Sequence, residues 1–171
     1  KRRLAARDAA GLSDAKAYKD YRKLIADKDL DAVLIATPEH WHAQIAIDAM
    51  ENGLHCYVEK PMCRTLDEVK ALRAAALKTK RIVQVGSQGC TDTKWHVAAE
   101  QIKKGKIGKL VWSQGSYCRN NPSGEWNYDI DPSANTGNLN WEMWQGKLPK
   151  IPWNPEHYFR WRKYQRYSAG I

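Results

Sequence analysis

The sequence has no apolar run that could cross a membrane and no recognisable secretory leader. Its hydrophobic stretches stay well short of the roughly 18 residues that a transmembrane helix needs. The opening KRRLAARDAAGL is positively charged, but no apolar core follows it, so it does not have the layout of a signal peptide. We therefore expect no membrane association. The periplasm is left open as a location, because any export signal would precede Lys1.

Spacings typical of metal or hydrolase sites are also missing. The four cysteines lack CxxC spacing and are expected to be free thiols, which favours a reducing compartment such as the cytoplasm. His40 and His42 form an H-x-H pair, but zinc needs three or four ligands and the sequence offers no third one nearby. No G-x-S-x-G, Ser-His-Asp order or pair of catalytic carboxylates stands out. The sequence thus predicts no metal.

The chain is rich instead in basic residues and in tryptophan and tyrosine. It carries 28 lysines and arginines against 19 acidic residues, and the net charge of +9 favours phosphates, nucleotides or nucleic acid as partners. The segment WRKYQRY mixes basic and aromatic side chains, as single-strand binders do. The basic residues are spread along the whole chain, however, and no nucleic-acid motif is present. Nucleic acid is therefore the less favoured partner.

Apolar periodicity predicts helices and strands in alternation up to about residue 118. The expected strands are 31–36, 54–58, 82–86 and 109–118, and the expected helices are 19–28, 42–52, 93–104 and one that starts after Thr65. Alternation of this kind implies crossover connections and a mostly parallel sheet. The continuous run DAVLIA fits a strand that is buried on both faces. Gly53 and Gly105 are placed to end helices, and Thr65 with Glu68 forms a T-x-x-E capping box.

The pattern changes after about residue 119. RNNPSGEWNYDIDPSANTGN has no period and is rich in turn residues, so we expect a long loop there. The aromatic and basic remainder has signals only for short helices around 140–145 and 155–162. The sequence therefore predicts a domain boundary after residue 118.

Two motifs follow predicted strands, T-P-x-x-x-H and E-K-P. They are formed by Thr37, Pro38 and His42, and by Glu59, Lys60 and Pro61. With DAVLIA in front and a capped helix behind, their order resembles the nicotinamide-dependent oxidoreductases named for glucose-fructose oxidoreductase, inositol dehydrogenase and rhizopine catabolism proteins (Gfo/Idh/MocA). The resemblance covers residues 15–118 well and the remainder loosely.

This resemblance implies an α/β fold. Residues 1–118 would form an incomplete Rossmann-like, doubly wound parallel sheet, and residues 119–171 the start of a second α/β domain for substrate binding and oligomerisation. The family's opening β-α-β unit with G-x-G-x-x-G is not in the sequence, and its later catalytic Asp and His would fall beyond Ile171. Our hypothesis is that the sequence is incomplete at both ends.

The resemblance also implies roles for the motif residues. Lys60 would take or give the substrate hydroxyl proton, and the bond to Pro61 is often cis in relatives. A lysine can do this when burial or a neighbouring cation lowers its pKa. The expected NAD or NADP contacts are Thr37, Pro38, His42, Glu59 and Pro61. Alternatives stay open, because Lys60 could be a surface charge, Glu59 could be solvated or pair with the lysine, and His42 could be a cap or core residue.

Substrate contacts are expected from positions farther along the chain. Gln88 follows a predicted strand end and is a candidate. In the tail, the aromatic and basic side chains suit a carbohydrate pocket or, equally, a subunit interface; they are Arg160, Trp161, Arg162 and Tyr167.

Four functions follow from these patterns. The first is an NAD(P)-dependent oxidoreductase acting on a sugar, polyol or glycoside, expected to be a homo-oligomer. The second is an NAD-dependent glycosidase of the same fold that oxidises the sugar transiently. The third is a nucleic-acid binder, and the fourth a relative that keeps the fold without the chemistry.

Overall fold

The computed structural model describes residues 2–12 and 17–169, with the side chains of residues 2 and 3 outside that description. Residues 15 and 16, where the family resemblance begins, also lie outside it. The chain divides into two compact units, Lys1–Val85 and Gly86–Ile171. The domain boundary expected after residue 118 stays a prediction.

The first unit contains a three-stranded parallel sheet with the order β1-β2-β3. The strands are β1 (Ala32–Ile35), β2 (His55–Glu59) and β3 (Val83–Gly86). β1 and β2 pair in parallel, with Val33 opposite Cys56 and Ile35 opposite Val58. Three of the predicted strands and the parallel sheet are thus confirmed, each within a residue or two of its expected bounds.

Two helices precede these strands and two connect them, the latter as the alternation predicts. They are α1 (Arg2–Ala9), α2 (Tyr21–Ile25), α3 (His42–Glu51) and α4 (Leu66–Thr79), and a short 3-10 turn, Glu39–Trp41, leads into α3. α3 ends before Gly53, whose φ of +92° suits a glycine past a helix end. α4 begins with the predicted capping box, in which Thr65 and Glu68 each bond the other's backbone N–H. α1 was not predicted from the sequence.

The core of the first unit lies on one side of the sheet. α3 contacts β1, β2 and α4, and the buried cluster consists of Ile25, Val33, Ile35, Trp41, Ala43, Ile45, Ala46, Ala49, Met50, Leu54, Cys56, Val58, Cys63, Leu72 and Ala75. The opposite face is bare, since Leu34 is 70% exposed and Tyr57 40%. The prediction that β1 is buried on both faces is therefore wrong for the described residues, because their helices cover a single side.

The second unit begins with a helix that has little to pack against. α5 (Thr93–Lys103) forms where the period predicts it, and Gly105 follows its end with φ +75°. None of its residues is buried, and Trp95 and Ile102 of the predicted apolar face are 60% and 43% exposed. Periodicity thus identified the helix but not the surface it would cover.

The strand expected at 109–118 is wrong. Those residues are extended or irregular and exposed, and no segment within 17–169 pairs with them. A strand needs a neighbour for its backbone N–H and C=O groups. Without that neighbour, the apolar alternation that suggested a strand remains on an exposed segment.

Aromatic side chains hold the rest of the second unit together. The short helices α6 (Trp141–Gln145) and α7 (Pro155–Phe159) form as predicted, followed by a 3-10 turn at Trp161–Lys163. Trp144 stacks on Trp141 with 4.9 Å between ring centroids and meets Tyr167 edge-on, also at 4.9 Å. Trp141 is 6% exposed and Tyr167 is fully buried. This aromatic core replaces the sheet that organises the first unit.

Candidate functional site

The two sequence motifs meet at one edge of the sheet. Ile35 and Val58 are paired in the parallel ladder, and Thr37 and Lys60 each lie two residues beyond that pair. The carboxyl ends of parallel strands are where ligands bind in open α/β sheets. The T-P and E-K-P segments are therefore brought together at the edge that a nucleotide would use.

Lys60 projects from this edge without a partner of its own. The residue is exposed, and within the described residues no hydrogen bond or ion pair engages its ammonium group. Its backbone N–H donates to Glu59 Oε2 at 3.2 Å, so the Glu59 carboxylate bonds the lysine backbone rather than its side chain. The Lys60–Pro61 bond is cis, as the resemblance implied. The ammonium is thus available to a bound molecule.

His42 lies underneath the edge rather than on it. The ring is 2% exposed, and its two nitrogens each contact a backbone carbonyl oxygen. Nδ1 lies 2.7 Å from the oxygen of Pro61, and Nε2 lies 2.7 Å from the oxygen of Thr37. The sequence left open whether His42 contacts the cofactor or is a cap or core residue, and these contacts favour the buried core residue. Its predicted role as a cofactor contact stays untested.

Thr37 offers a polar atom that suits a bound nucleotide. Its hydroxyl is buried and has no hydrogen-bond partner among the described residues. A buried hydroxyl without a partner costs roughly 1–3 kcal/mol, so its position at a ligand-binding edge is consistent with a partner supplied by a ligand. Pro38 follows with φ −58° and ψ 147° and leads the chain away from the edge into the 3-10 turn. The Thr37 hydroxyl therefore fits a bound nicotinamide nucleotide, which could supply its hydrogen-bond partner.

The side of α3 that faces α2 carries a second polar group. The Tyr21 hydroxyl donates to Asp48 Oδ2 at 2.5 Å, and Gln44 donates to Asp48 Oδ1 at 2.6 Å. Burial raises the pKa of Tyr21, and the neighbouring Asp48 carboxylate raises it further. These contacts hold α2 on α3 and belong to the packing of the first unit rather than to the strand edge.

The predicted substrate residues lie in the second unit, and three of them are neighbours there. Arg160 donates from Nε to the Tyr128 oxygen at 2.7 Å and from Nη1 to Glu156 at 2.8 Å. The Arg162 guanidinium lies 4.2 Å from the ring centroid of Trp161. Gln88 is exposed in a turn after β3. Their roles stay predictions.

Tyr167 has a different setting from these three. It is fully buried, and its hydroxyl lies 3.0 Å from Nδ1 of His157. Burial raises the pKa of Tyr167, and burial together with the nearby Arg166 charge lowers the pKa of His157. In the described chain Tyr167 therefore serves the aromatic core, and contact with a substrate stays a prediction.

Sequence reasoning missed the partners of Arg162. The guanidinium groups of Arg119 and Arg162 lie 4.8 Å and 5.0 Å from the ring centroid of Trp126. Arg119 also pairs with Glu125 at 3.3 Å. These contacts join residues far apart in a segment without periodicity, and no motif announces them.

Within the described residues, no three His, Cys, Asp or Glu side chains are arranged to hold a metal ion. No helix in residues 2–12 and 17–169 combines the length and apolar character needed to cross a bilayer.

A parallel sheet that presents T-P and E-K-P segments at its ligand-binding edge defines a Rossmann-type nucleotide-binding unit. The family model described as "Oxidoreductase family, NAD-binding Rossmann fold" (GFO_IDH_MocA) matches residues 1–87, just over half of the 171. The chain belongs to this oxidoreductase family.

Individual relatives agree with this membership. Levoglucosan dehydrogenase of Pseudarthrobacter phenanthrenivorans is 38% identical over 117 residues, which is 68% of this chain and 30% of the relative. The scyllo-inositol 2-dehydrogenase (NAD(+)) of Bacillus subtilis is 36% identical over 107 residues, 63% of this chain and 31% of its own. The chain thus spans about three tenths of the length of these relatives.

Solved structures resemble part of the fold. An inositol dehydrogenase homolog from Azotobacter vinelandii, complexed with NADH and myo-inositol, matches with a TM-score of 0.56 and 33% identity over 60% of this chain and 28% of that one. An oxidoreductase from Pseudomonas syringae matches with a TM-score of 0.57 and 34% identity over 63% of this chain and 31% of that one. The Rossmann-like α/β class expected from the sequence is confirmed.

Proposed function

We propose that the protein carrying this chain is an NAD(P)-dependent oxidoreductase that transfers a hydride between a nicotinamide cofactor and a sugar, polyol or glycoside. The observation that carries the proposal is the Lys60 ammonium, which is exposed at the strand edge and has no partner among the described residues. Thr37, two residues past the end of β1, lies at the same edge. Family membership and the polyol-oxidising relatives support the substrate class.

The chemistry assigns each residue at the edge a task. When bound, the cofactor accepts a hydride at nicotinamide C4. Thr37 and Pro38 would border the nucleotide, with Glu59 and Pro61 holding the turn beside it. Lys60 would accept the proton of the substrate hydroxyl as the carbon–hydrogen bond breaks and the carbonyl forms, once enclosure by the bound cofactor and substrate favours its neutral amine. It would then donate a hydrogen bond to the new carbonyl oxygen.

Substrate contacts are proposed from the second unit. Gln88, Arg160, Trp161, Arg162 and Tyr167 remain the proposed set, because amides and guanidinium groups bond hydroxyls and aromatic faces stack on sugar rings.

The test is Lys60→Met in the full-length protein, assayed with cofactor and a panel of sugars and polyols. Methionine keeps the length and apolar stem of lysine but removes the proton acceptor. We expect kcat to fall about 100- to 10,000-fold, with cofactor affinity changed no more than a few fold. Lys70→Met is the matched control, since Lys70 is also exposed but lies on α4, where it pairs with Asp67 at 3.9 Å. Unchanged kcat in Lys60→Met would overturn the assignment.

A second candidate function is an NAD-dependent glycosidase. The glycosyl hydrolase family 109 protein 1 of a Shewanella species is 32% identical over 97 residues, 57% of this chain and 21% of its own. In that reaction the sugar would be oxidised, lose its leaving group by elimination, add water across the resulting double bond and then be reduced again, with no net change in the cofactor. Release of one reduced cofactor per substrate supports the dehydrogenase, whereas turnover of a glycoside without it supports the glycosidase.

We also propose a cytoplasmic homo-oligomer. Large apolar side chains are exposed on both units, including Leu34, Trp95 and Ile102, and apolar surface of this kind suits subunit contacts. Sedimentation velocity on the purified protein tests this: a species of two or more chains is expected, and a monomer across micromolar concentrations would contradict it.

A further inference from the structure

His42 connects the two segments that form the strand edge. One ring nitrogen reaches the carbonyl oxygen of Thr37, two residues past β1, and the other reaches that of Pro61, the residue after Lys60. Both distances are 2.7 Å, at the short end of N–H···O hydrogen bonds. A single buried ring thus ties together the T-P and E-K-P segments, which are 24 residues apart in sequence from Thr37 to Pro61.

The chemistry of the two partners determines the protons on the ring. Backbone carbonyl oxygens only accept hydrogen bonds, and a neutral imidazole has one N–H donor and one acceptor nitrogen. With a neutral ring, one of these 2.7 Å contacts would place two lone pairs against each other. Both contacts are hydrogen bonds only when both nitrogens carry a proton.

We propose that His42 is a positioning residue that donates from both ring nitrogens and thereby fixes the Lys60 turn against the end of β1. The two ring contacts are observed in the geometry of the first unit. Their consequence for catalysis rests on the function proposed for Lys60. The cofactor-contact role expected from the sequence would instead need a ring nitrogen that is free of the backbone.

The doubly protonated His42 ring lies in a buried position. A charged ring that is 2% exposed is costly unless its protons are satisfied. The two carbonyl oxygens satisfy both N–H groups. Removing the ring would leave the carbonyl oxygens of Thr37 and Pro61 without these two donors.

The first experiment counts the protons directly. The full-length protein is labelled with ¹⁵N-histidine, and one-bond ¹H–¹⁵N couplings of the ring nitrogens are recorded at neutral pH, with assignment by comparison with His42→Gln. We expect an attached proton on both His42 nitrogens, while His96, which is exposed on α5, provides a solvent-accessible reference. A lone pair on either His42 nitrogen overturns the proposal. This readout does not depend on any activity.

The second experiment separates positioning from cofactor contact. Replacing His42 by Leu removes both donors, and replacing it by Gln keeps an amide donor. For a positioning residue, kcat at saturating cofactor falls about 100-fold in His42→Leu, less in His42→Gln, and cofactor Kd stays within a few fold. Loss of cofactor affinity with unchanged kcat would contradict it, as would equal kcat in the two variants. His96→Gln is the control, expected to behave like the parent.

The two experiments also keep this proposal separate from the proposed function. If Lys60→Met leaves turnover intact, the function assigned to Lys60 is wrong. The ¹⁵N measurement still decides whether His42 donates from both ring nitrogens. If His42→Leu does not fold, His42→Gln and the proton count carry the decision.

Discussion

The two units of the chain reach stability by different means. The first buries aliphatic side chains between a parallel sheet and two helices that follow its strands in sequence. The second leaves α5 and the segment at 109–118 exposed and buries rings from two short helices and the turns after them. The difference teaches that apolar pattern alone does not say which surfaces are covered: the DAVLIA strand and α5 both have strong patterns, yet each has an exposed apolar face.

The largest effect is expected from tryptophans in the second unit. Trp141→Ala should lower the free energy of unfolding by about 3–5 kcal/mol, because Trp141 is 6% exposed and its Nε1 donates to the Ile151 oxygen at 2.9 Å. Trp95→Ala, at a 60% exposed position, should change it by no more than about 0.5 kcal/mol. Chemical denaturation measures both. Equal losses would mean that α5 is packed in solution.

The same contrast applies to the two faces of the sheet in the first unit. Met50→Ala should cost about 2–5 kcal/mol, since Met50 on α3 is 1% exposed. Leu34→Ala should cost about 0.5 kcal/mol or less, because Leu34 lies on the bare face at 70% exposure. The comparison is made by denaturation at matched protein concentration. A large loss in Leu34→Ala that vanishes on dilution would instead show that another copy covers that face.

The cysteines divide between the units in the same way. Cys56 and Cys63 are buried in the first, whereas Cys90 and Cys118 are exposed in the second. A thiol reagent should therefore modify two thiols in the folded protein and four after denaturation. Rapid modification of all four without denaturant would show that the first unit opens readily.

Burial also gives Cys56 a pH effect on stability. Burial raises the pKa of the Cys56 thiol from 9.0 to about 11. Above pH 9 the thiol of the unfolded chain loses its proton, whereas the folded chain keeps it until about pH 11. The free energy of unfolding should therefore be highest below pH 9 and decrease as the pH rises towards 11. Denaturation midpoints at several alkaline pH values measure this loss, and Cys56→Ala should show a shallower decline. Parallel declines would contradict the burial.

The smallest effect is expected at the start of α4. Thr65→Ala should destabilise the protein by about 1 kcal/mol, because it removes the acceptor for the Glu68 N–H. Thr65→Ser keeps an oxygen in the same place and should be nearly neutral. A matching loss in both variants would mean that the threonine methyl group, rather than the cap, stabilises this end of the helix.

Local signals in the sequence predicted much of the fold. The capping box at Thr65, the glycine after α3 and the alternation around β1, β2 and β3 each act over a few residues, and each was confirmed. The prediction of a strand at 109–118 was wrong because a strand needs a neighbouring strand, which the local apolar pattern does not reveal. The prediction that β1 is buried on both faces was wrong for the same reason, because the burial of a face depends on segments elsewhere in the chain.

The site shows the same division between local and distant information. The E-K-P and T-P motifs located the strand edge, because parallel strands end on the same side. The double contact of His42 with Thr37 and Pro61 was not predictable, since it depends on where a loop 19 residues away folds back. The arginines around Trp126 were likewise invisible, because cation–π contacts have no fixed spacing.

The most direct test of the central claim follows the hydride itself. The full-length protein is incubated with oxidised cofactor and a sugar or polyol that carries deuterium on the carbon to be oxidised. The account predicts that the deuterium appears at C4 of the reduced nicotinamide, in one-to-one amount with oxidised substrate, and that Lys60→Met forms it far more slowly. Substrate consumption with no label on the released cofactor would contradict the account.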